Sequence, residues 1–402
     1  MGFAEPDWVP FSVLGALMWS GWIVRQILGA LHRPAVNDHA ESTSVISPVY
    51  REDPEILAQC VRSWLANDPS EILLVICRTE SAIIDPATSW ARDDPRIRVL
   101  IVDEPDKRHS LAKGIREARF EVIVLADSDT FWEPGFLQKI LMGFAEPGVG
   151  GVGCRQNVYR PGTSLWRRVA DWMLDVRFLH YLPAPARSGA MPCISGRTAA
   201  YRRAAVLPVL DEMEYETFLG RRCVSGDDGR LTWLILRDGW RAVYQRNART
   251  WTVFPNTFRG FVHQRVRWAR NSYRCYVRAA KEGWLFRQPV ITSLSVIQNL
   301  AGPFTLTFAT YFLVRESLNH RWALAALALS WLMLGRAVKS LRHLFSEPEA
   351  LLYLPLVTLV FIVVMIPIKW YALFTMNRQG WITRSPDMAV AEGQHSGTLG
   401  TT

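Results

Sequence analysis

Val122-Ile123-Val124-Leu125-Ala126 runs without a break into Asp127-Ser128-Asp129. A short run of apolar and β-branched residues of this kind reads as a buried strand, and it delivers two carboxylates, one residue apart, at its carboxyl end. Working outward, Ser44–Tyr50, Glu71–Cys77, Ile97–Val102 and Glu121–Ala126 read as strands. Pro54–Ala66, Ser110–Arg119 and Pro134–Phe144 read as the helices between them. Such alternation predicts βαβ units and a mostly parallel sheet covered on both faces. Ligands of such sheets collect at the carboxyl ends of the strands, so the polar residues ending each strand are the first candidates for a site.

The rest of the 402-residue chain is unusually apolar. Only 21% of its residues are charged, the formal charge is +9, and the mean hydropathy is +0.04. This composition excludes disordered, collagen-like and coiled-coil chains. Trp8–Leu31 carries one charge, Arg25; Val290–Val314, Trp322–Gly335 and Ala350–Ile368 carry none. A bilayer needs about 20 apolar residues in a helix, so all but the third of these are long enough to span. The start, Met1–Asp7, is acidic and its apolar stretch outruns a signal peptide's, so residues 1–31 read as a retained anchor. Arg25, His32 and Arg33 then place the N-terminus outside and the following domain in the cytosol. The six cysteines form no C-x-x-C pair and read as free thiols in a reducing compartment.

Three further clusters carry chemistry. Asp127 and Asp129 either form a polar turn or, at a strand end, share a hard divalent cation with a diphosphate. Ser225-Gly226-Asp227-Asp228 precedes the apolar run Trp233–Leu236, where a carboxylate serves either as a helix cap or as a general base. Gln264-Arg265-Val266-Arg267-Trp268 lies in the basic amphipathic stretch 259–288, which reads as a helix along anionic headgroups just before a span. Asp106-Lys107-Arg108-His109 follows the third strand, where a cation meets a phosphate or simply faces water. Gly148–Gly153 only superficially resembles a phosphate loop, and the chain holds no Walker or dinucleotide fingerprint. The positive charge concentrates beside a membrane span, so nucleic acid is not an expected partner.

Taken in order, these residues resemble the membrane-anchored family 2 glycosyltransferases that build polysaccharides, the group of hyaluronan, cellulose and chitin synthases. The resemblance rests on Pro48-Val49-Tyr50-Arg51-Glu52, Asp106–His109, Asp127-Ser128-Asp129, Ser195-Gly196 with Tyr201-Arg202, Gly226-Asp227-Asp228, Gln264–Trp268 and Gly380-Trp381-Ile382-Thr383-Arg384. It spans residues 44–384 and is nearest the hyaluronan synthase branch, which has G-D-D where cellulose synthases have T-E-D. It implies an α/β GT-A fold, a Rossmann-like nucleotide-sugar-binding domain, that uses a UDP-sugar and Mg²⁺ or Mn²⁺. Tyr50, Glu52, Lys107 and Asp127 would then contact the nucleotide, Asp129 the metal, and Asp228 would be the general base. Gln264 and Arg267 would hold the diphosphate, Ser195 and Trp268 would face the acceptor, and Trp381 and Arg384 would close over the site on a mobile loop. The expected organisation is an anchor (1–31), a cytosolic transferase domain (32–258), a basic interfacial helix (259–288), a C-terminal membrane region (289–376) and a loop and tail (377–402).

The implied function is a multi-pass plasma (inner) membrane enzyme that extends a β-linked, hyaluronan-like polysaccharide processively and translocates it. Its partners would be the UDP-sugar, the growing polymer and membrane lipids. Two alternatives remain: transfer of one sugar to a lipid carrier, and a membrane scaffold or transporter with an inactive transferase domain. Two departures stand out. The second strand ends Ile76-Cys77-Arg78-Thr79-Glu80 where relatives carry an aspartate, and Gly229 separates Asp228 from Arg230. Three full spans after the domain would put Gly380–Arg384 outside, so a loop that serves the site requires one interfacial or re-entrant segment. The third apolar segment, the shortest, is the expected one.

Overall fold

The computed structural model of the protein describes residues 13–378. Its strands are β1 (Thr43–Val49), β2 (Glu71–Cys77), β3 (Ile97–Val102), β4 (Val122–Ala126), β5 (Thr130–Trp132), β6 (Val149–Val158), β7 (Thr198–Arg202), β8 (Thr217–Phe218), β9 (Arg221–Arg222) and β10 (Arg241–Thr252). All but the β8–β9 hairpin join one sheet, in the order β3-β2-β1-β4-β7-β6-β10-β5.

The first four strands are parallel, and β1, β2 and β4 are buried throughout. Their side chains alternate between two layers: Ile46, Leu73 and Val75 face Leu111 and Ile115 on one side. Val45, Ile72 and Leu74 face Leu57 and Trp64 on the other. Because both faces are covered, these strands are continuous apolar runs rather than alternating ones. On the first face the Lys107–Glu117 helix lies so close that a Cβ on Gly114 would stand 2.4 Å from Ile46 Cγ2. Gly114→Ala is therefore expected to lower stability by about 1–3 kcal/mol through overpacking, read as a drop in the denaturant midpoint. An unchanged midpoint would contradict this packing.

The expectation of a mostly parallel sheet is corrected beyond β4. There β7 runs antiparallel to both β4 and β6, and β10 is parallel to β6 but antiparallel to β5. Glycines disguise β6: side chains at Gly150, Gly151 and Gly153 would collide with Trp240, Ile194 and Met191 at 2.6, 2.5 and 2.8 Å. The glycine run is a tightly covered central strand, not a loop. The Ser81–Asp93 helix also escapes the sequence reading, since Pro86 lies inside it. The helix expected from Ser110 begins at Lys107, because Asp106 caps it by accepting the Arg108 and His109 N–H groups at 2.9 and 3.2 Å.

The apolar segments form helices Val13–Ala30, Val290–Leu318, Trp322–Lys339 and Pro348–Phe374. Among the described residues, the last two are long and apolar enough to cross a membrane. The short third segment thus gains a full helix by continuing through Arg336 and Lys339. After it the chain is fastened to the α/β domain, where Trp172 Nε1 donates to Ser340 Oγ at 2.7 Å and His343 Nδ1 lies 2.9 Å from Asp175 Oδ2. One end of Pro348–Phe374 is tied to that same domain, and the chain just past the other end to the Phe258–Lys281 helix. Arg168 Nη1 donates to Tyr353 Oη at 2.6 Å, Arg270 Nε to Thr375 Oγ1 at 3.0 Å, and Arg274 Nη1 to the Met376 carbonyl at 2.9 Å.

Candidate active site

The carboxyl end of β4 is held open by its neighbours. The Asp127 N–H donates to the Arg197 carbonyl at 3.0 Å, and Ser128 Oγ donates to Glu52 Oε2 at 2.8 Å, which draws the end of β1 toward Asp127 and Asp129. Lys107, on the first turn of its helix, reaches Asp127 Oδ1 at 2.8 Å and Asp227 Oδ2 at 3.7 Å. Burial works to lower this ammonium's pKa, but Asp127 and Asp227 outweigh it and hold it above the ordinary lysine range. Burial pushes the Asp127 carboxyl above its usual range; Lys107 pulls it back, and Asp129 and Asp227 add to the rise. A strand end with more carboxylate than ammonium suits a divalent cation, whose charge would relieve that repulsion.

Asp227 and Asp228 open the Asp227–Arg237 helix after Gly226, whose φ of +80° is a left-handed conformation natural to glycine. Asp228 accepts the Gly196 N–H on Oδ2 at 3.2 Å and the Gly229 N–H on Oδ1 at 2.8 Å. Glycine at 196 allows this approach, since a Cβ there would already touch Asp228 Cβ at 3.2 Å. The inserted Gly229 has a visible consequence. Arg230 turns from the cavity toward Glu216 Oε1, at 3.4 Å, and the ring of Trp284, at 5.4 Å.

The Phe258–Lys281 helix supplies the opposite wall. Gln264, Arg267 and Trp268, three and four residues apart, share one face and line the cavity. Arg265 turns inward among Phe254, Phe261 and Trp268, and burial lowers its guanidinium to about 9. Trp268 lies 4.8 Å from Arg265 and 5.0 Å from Arg197, with Phe254 edge-on at 5.7 Å. Its ring is thus fixed by cations and an aromatic edge rather than free to swing.

One cavity therefore brings together Lys107, Asp127, Asp129, Ser195, Asp228, Gln264, Arg267 and Trp268. Tyr50 and Glu52 are not among its lining residues. Tyr50 packs beside Arg51, and Glu52 reaches the site through Ser128. Glu80, just past β2, accepts the Arg51 N–H at 3.0 Å and so places an acid next to the β1 end. Trp381 and Arg384 lie outside the described residues. Arg274 nonetheless bonds both the Met376 and Ser225 carbonyls, at 2.9 and 3.1 Å, so the chain leading to them leaves from the cavity rim. The sequence reading missed Arg177 and Arg197 as cavity-lining cations. Arg197 directly follows the quoted Ser195-Gly196, whereas Arg177 comes from a π-helical turn, Val176–Tyr181, with no local signal.

A second cluster with metal-ligand side chains, Asp171, Asp175 and His343, lies elsewhere. Its carboxylates are already held by Arg155 at 3.0 Å, by Asn157 at 3.0 and 3.2 Å, and by the Val158 N–H at 2.8 Å. It acts as a tie between the post-hairpin segment and the domain.

The sequence model of "Glycosyltransferase like family 2" matches residues 40–271. An N-acetylglucosaminyltransferase of Sinorhizobium fredii is 29% identical over 360 residues, covering 88% of this chain and 86% of that protein. A hyaluronan synthase of Streptococcus pyogenes is 25% identical over 382 residues, covering 93% and 90%. A mannosyltransferase of Pyrobaculum calidifontis, solved with GDP-Man and Mn²⁺, superposes with a TM-score of 0.62 at 20% identity, covering 89% of this chain and 98% of that one. That likeness establishes a GT-A-like fold with a mixed sheet.

Proposed function

The chain belongs to the glycosyltransferase family 2, and from that premise we propose that it transfers N-acetylglucosamine from UDP-GlcNAc to the end of a growing β-linked oligosaccharide. The observation that carries this reading is the convergence of Asp127, Asp129, Asp228 and the Gln264–Arg267–Trp268 face on one cavity. The relatives named N-acetylglucosaminyltransferases, matched over most of both chains, support the sugar. The hyaluronan synthase match favours a second reading, a polymer built from two alternating donors.

Asp228 takes the proton from the acceptor hydroxyl, held toward it by the Gly196 and Gly229 N–H groups. The hydroxyl oxygen attacks the anomeric carbon as its bond to the diphosphate breaks, so configuration inverts and UDP leaves. A Mg²⁺ or Mn²⁺ ion bound at Asp129 would supply a Lewis acid for the leaving diphosphate. Gln264 and Arg267 hold diphosphate oxygens, and Lys107 adds a second cation beside the nucleotide contact Asp127. Tyr50, Glu52 and Glu80 border the base, with Glu80 serving where relatives have an aspartate. Ser195 and Trp268 receive the acceptor sugar, and Trp381 and Arg384 close the site.

The fastened ends support a membrane reading. Val13–Ala30 and the Val290–Lys339 hairpin would cross the bilayer, while Pro348–Phe374, tied near both ends to Arg168 and to Arg270 and Arg274, would lie along it. On this reading the fourth apolar segment, rather than the short third, is the interfacial one. The enzyme is then a multi-pass plasma (inner) membrane protein that extends its product processively and passes it outward.

Incubating purified protein and Mn²⁺ with radiolabelled UDP-GlcNAc, UDP-glucuronate and GDP-mannose separately tests the donor. Incorporation from UDP-GlcNAc alone is expected; turnover of only another donor would overturn the reading. Trp268→Ala should shorten the product while donor affinity persists, because aromatic contact with the acceptor is lost. Wild-type product length from monodisperse variant would reject that role.

A further inference from the structure

A cavity of about 450 Å³ lies among the membrane helices, lined by the Val13–Ala30, Val290–Leu318, Trp322–Lys339 and Pro348–Phe374 segments. Four basic side chains line it: Arg25, Arg336, Lys339 and Lys369. No Asp or Glu is among its described lining residues. Arg25 is only 7% exposed; one of its terminal nitrogens is met by Gln298, and its Nε has no partner. The Arg336 Nε is likewise buried and unpartnered, the guanidinium lying 3.3 Å from the Phe361 ring centroid. Lys369 Nζ lies against Gly302, 3.5 Å from where a Cβ would be, an ordinary contact distance.

Arginine stays charged wherever it is placed, and a buried charge is costly unless something of opposite sign meets it. No protein carboxylate among the described lining residues does so. The remaining wall mixes aromatic and apolar side chains, Trp19, Trp22 and Phe308 among them, with the amides of Gln26, Gln298 and Asn299, and Phe308 is half exposed. A ligand that satisfies both parts carries phosphoryl oxygens at one end and hydrocarbon at the other.

We propose that this cavity binds the phosphate of an anionic membrane phospholipid, gripped by Arg25, Arg336, Lys339 and Lys369, with an acyl chain along Trp19, Trp22 and Phe308. The cavity also adjoins the catalytic one. The π-helical turn Val176–Tyr181 gives Val176, His180 and Tyr181 to this cavity and Arg177 to the catalytic one, so the two share a wall.

The test is native mass spectrometry of the full chain in neutral detergent, titrated with phosphatidylglycerol and, separately, phosphatidylcholine. Phosphatidylglycerol should bind at least about tenfold more tightly, and Arg336→Gln should erase about tenfold of its affinity while Arg336→Lys retains most of it. Lys281→Gln, a basic position on the interfacial helix outside the cavity, should bind as wild type. Should Arg336→Gln fail to fold, Lys339→Gln and Lys369→Gln carry the same expectation. Equal binding of the two lipids, or unchanged binding in the charge-removing variants, overturns the proposal. So does displacement of the lipid by millimolar inorganic phosphate, which would make the ligand a free anion, or by a chito-oligosaccharide, which would make the cavity a glycan path.

Discussion

Asp228→Asn is expected to reduce sugar transfer by about 10²–10⁴-fold while calorimetric UDP affinity stays near wild type. The carboxylate touches Gly196 and Gly229 N–H groups, which orient it, and no cation of the protein bonds it directly among the described contacts. An amide can still accept one of those N–H groups, so the Asp227–Arg237 helix start is preserved. What it cannot do is take a proton from the acceptor. Loss of nucleotide affinity together with turnover would assign Asp228 to metal binding or to structure instead. Hydrolysis of donor to water at the wild-type rate, with transfer lost, would still fit an acceptor-side base.

Asp129→Asn is expected to lower turnover by about 10²-fold or more and to remove its dependence on added Mn²⁺. Asp127 and Asp129 at the strand end and Asp227 at the facing helix start stand close to Lys107, with Arg197 nearby, and the variant removes one of the charges that a divalent cation would meet. Turnover against Mn²⁺ concentration checks it. Unchanged activity with an unchanged metal midpoint would remove Asp129 from the metal site.

Those two residues were legible in the sequence because their positions follow from local rules. Asp127 and Asp129 end an apolar strand, and Asp227-Asp228 follow a glycine at a helix start, so the topology of an α/β sheet carries them to one edge. Gln264, Arg267 and Trp268 were legible through the family resemblance, since helical spacing by itself offered only an interfacial helix. What the sequence hid was set by packing at a distance. The glycines of β6 look like a loop until Trp240, Ile194 and Met191 are seen against them. Arg177 reaches the cavity from a π-helical turn, and Arg197 from the start of an antiparallel strand inserted between β4 and β6. Hydropathy likewise measured Pro348–Phe374 as apolar without revealing that Arg168 holds one end and Arg270 and Arg274 the other.

The central claim is repeated transfer of N-acetylglucosamine at a single metal-dependent site, and sizing the product of the purified wild-type enzyme tests it most directly. Supplied with radiolabelled UDP-GlcNAc and Mn²⁺, the protein should yield a ladder of oligosaccharides that a β-1,4-specific or other β-specific hexosaminidase trims to single sugars, and chelation should abolish the ladder. A product of one sugar on a lipid carrier, or no transfer from UDP-GlcNAc under conditions where another donor is used, would contradict it.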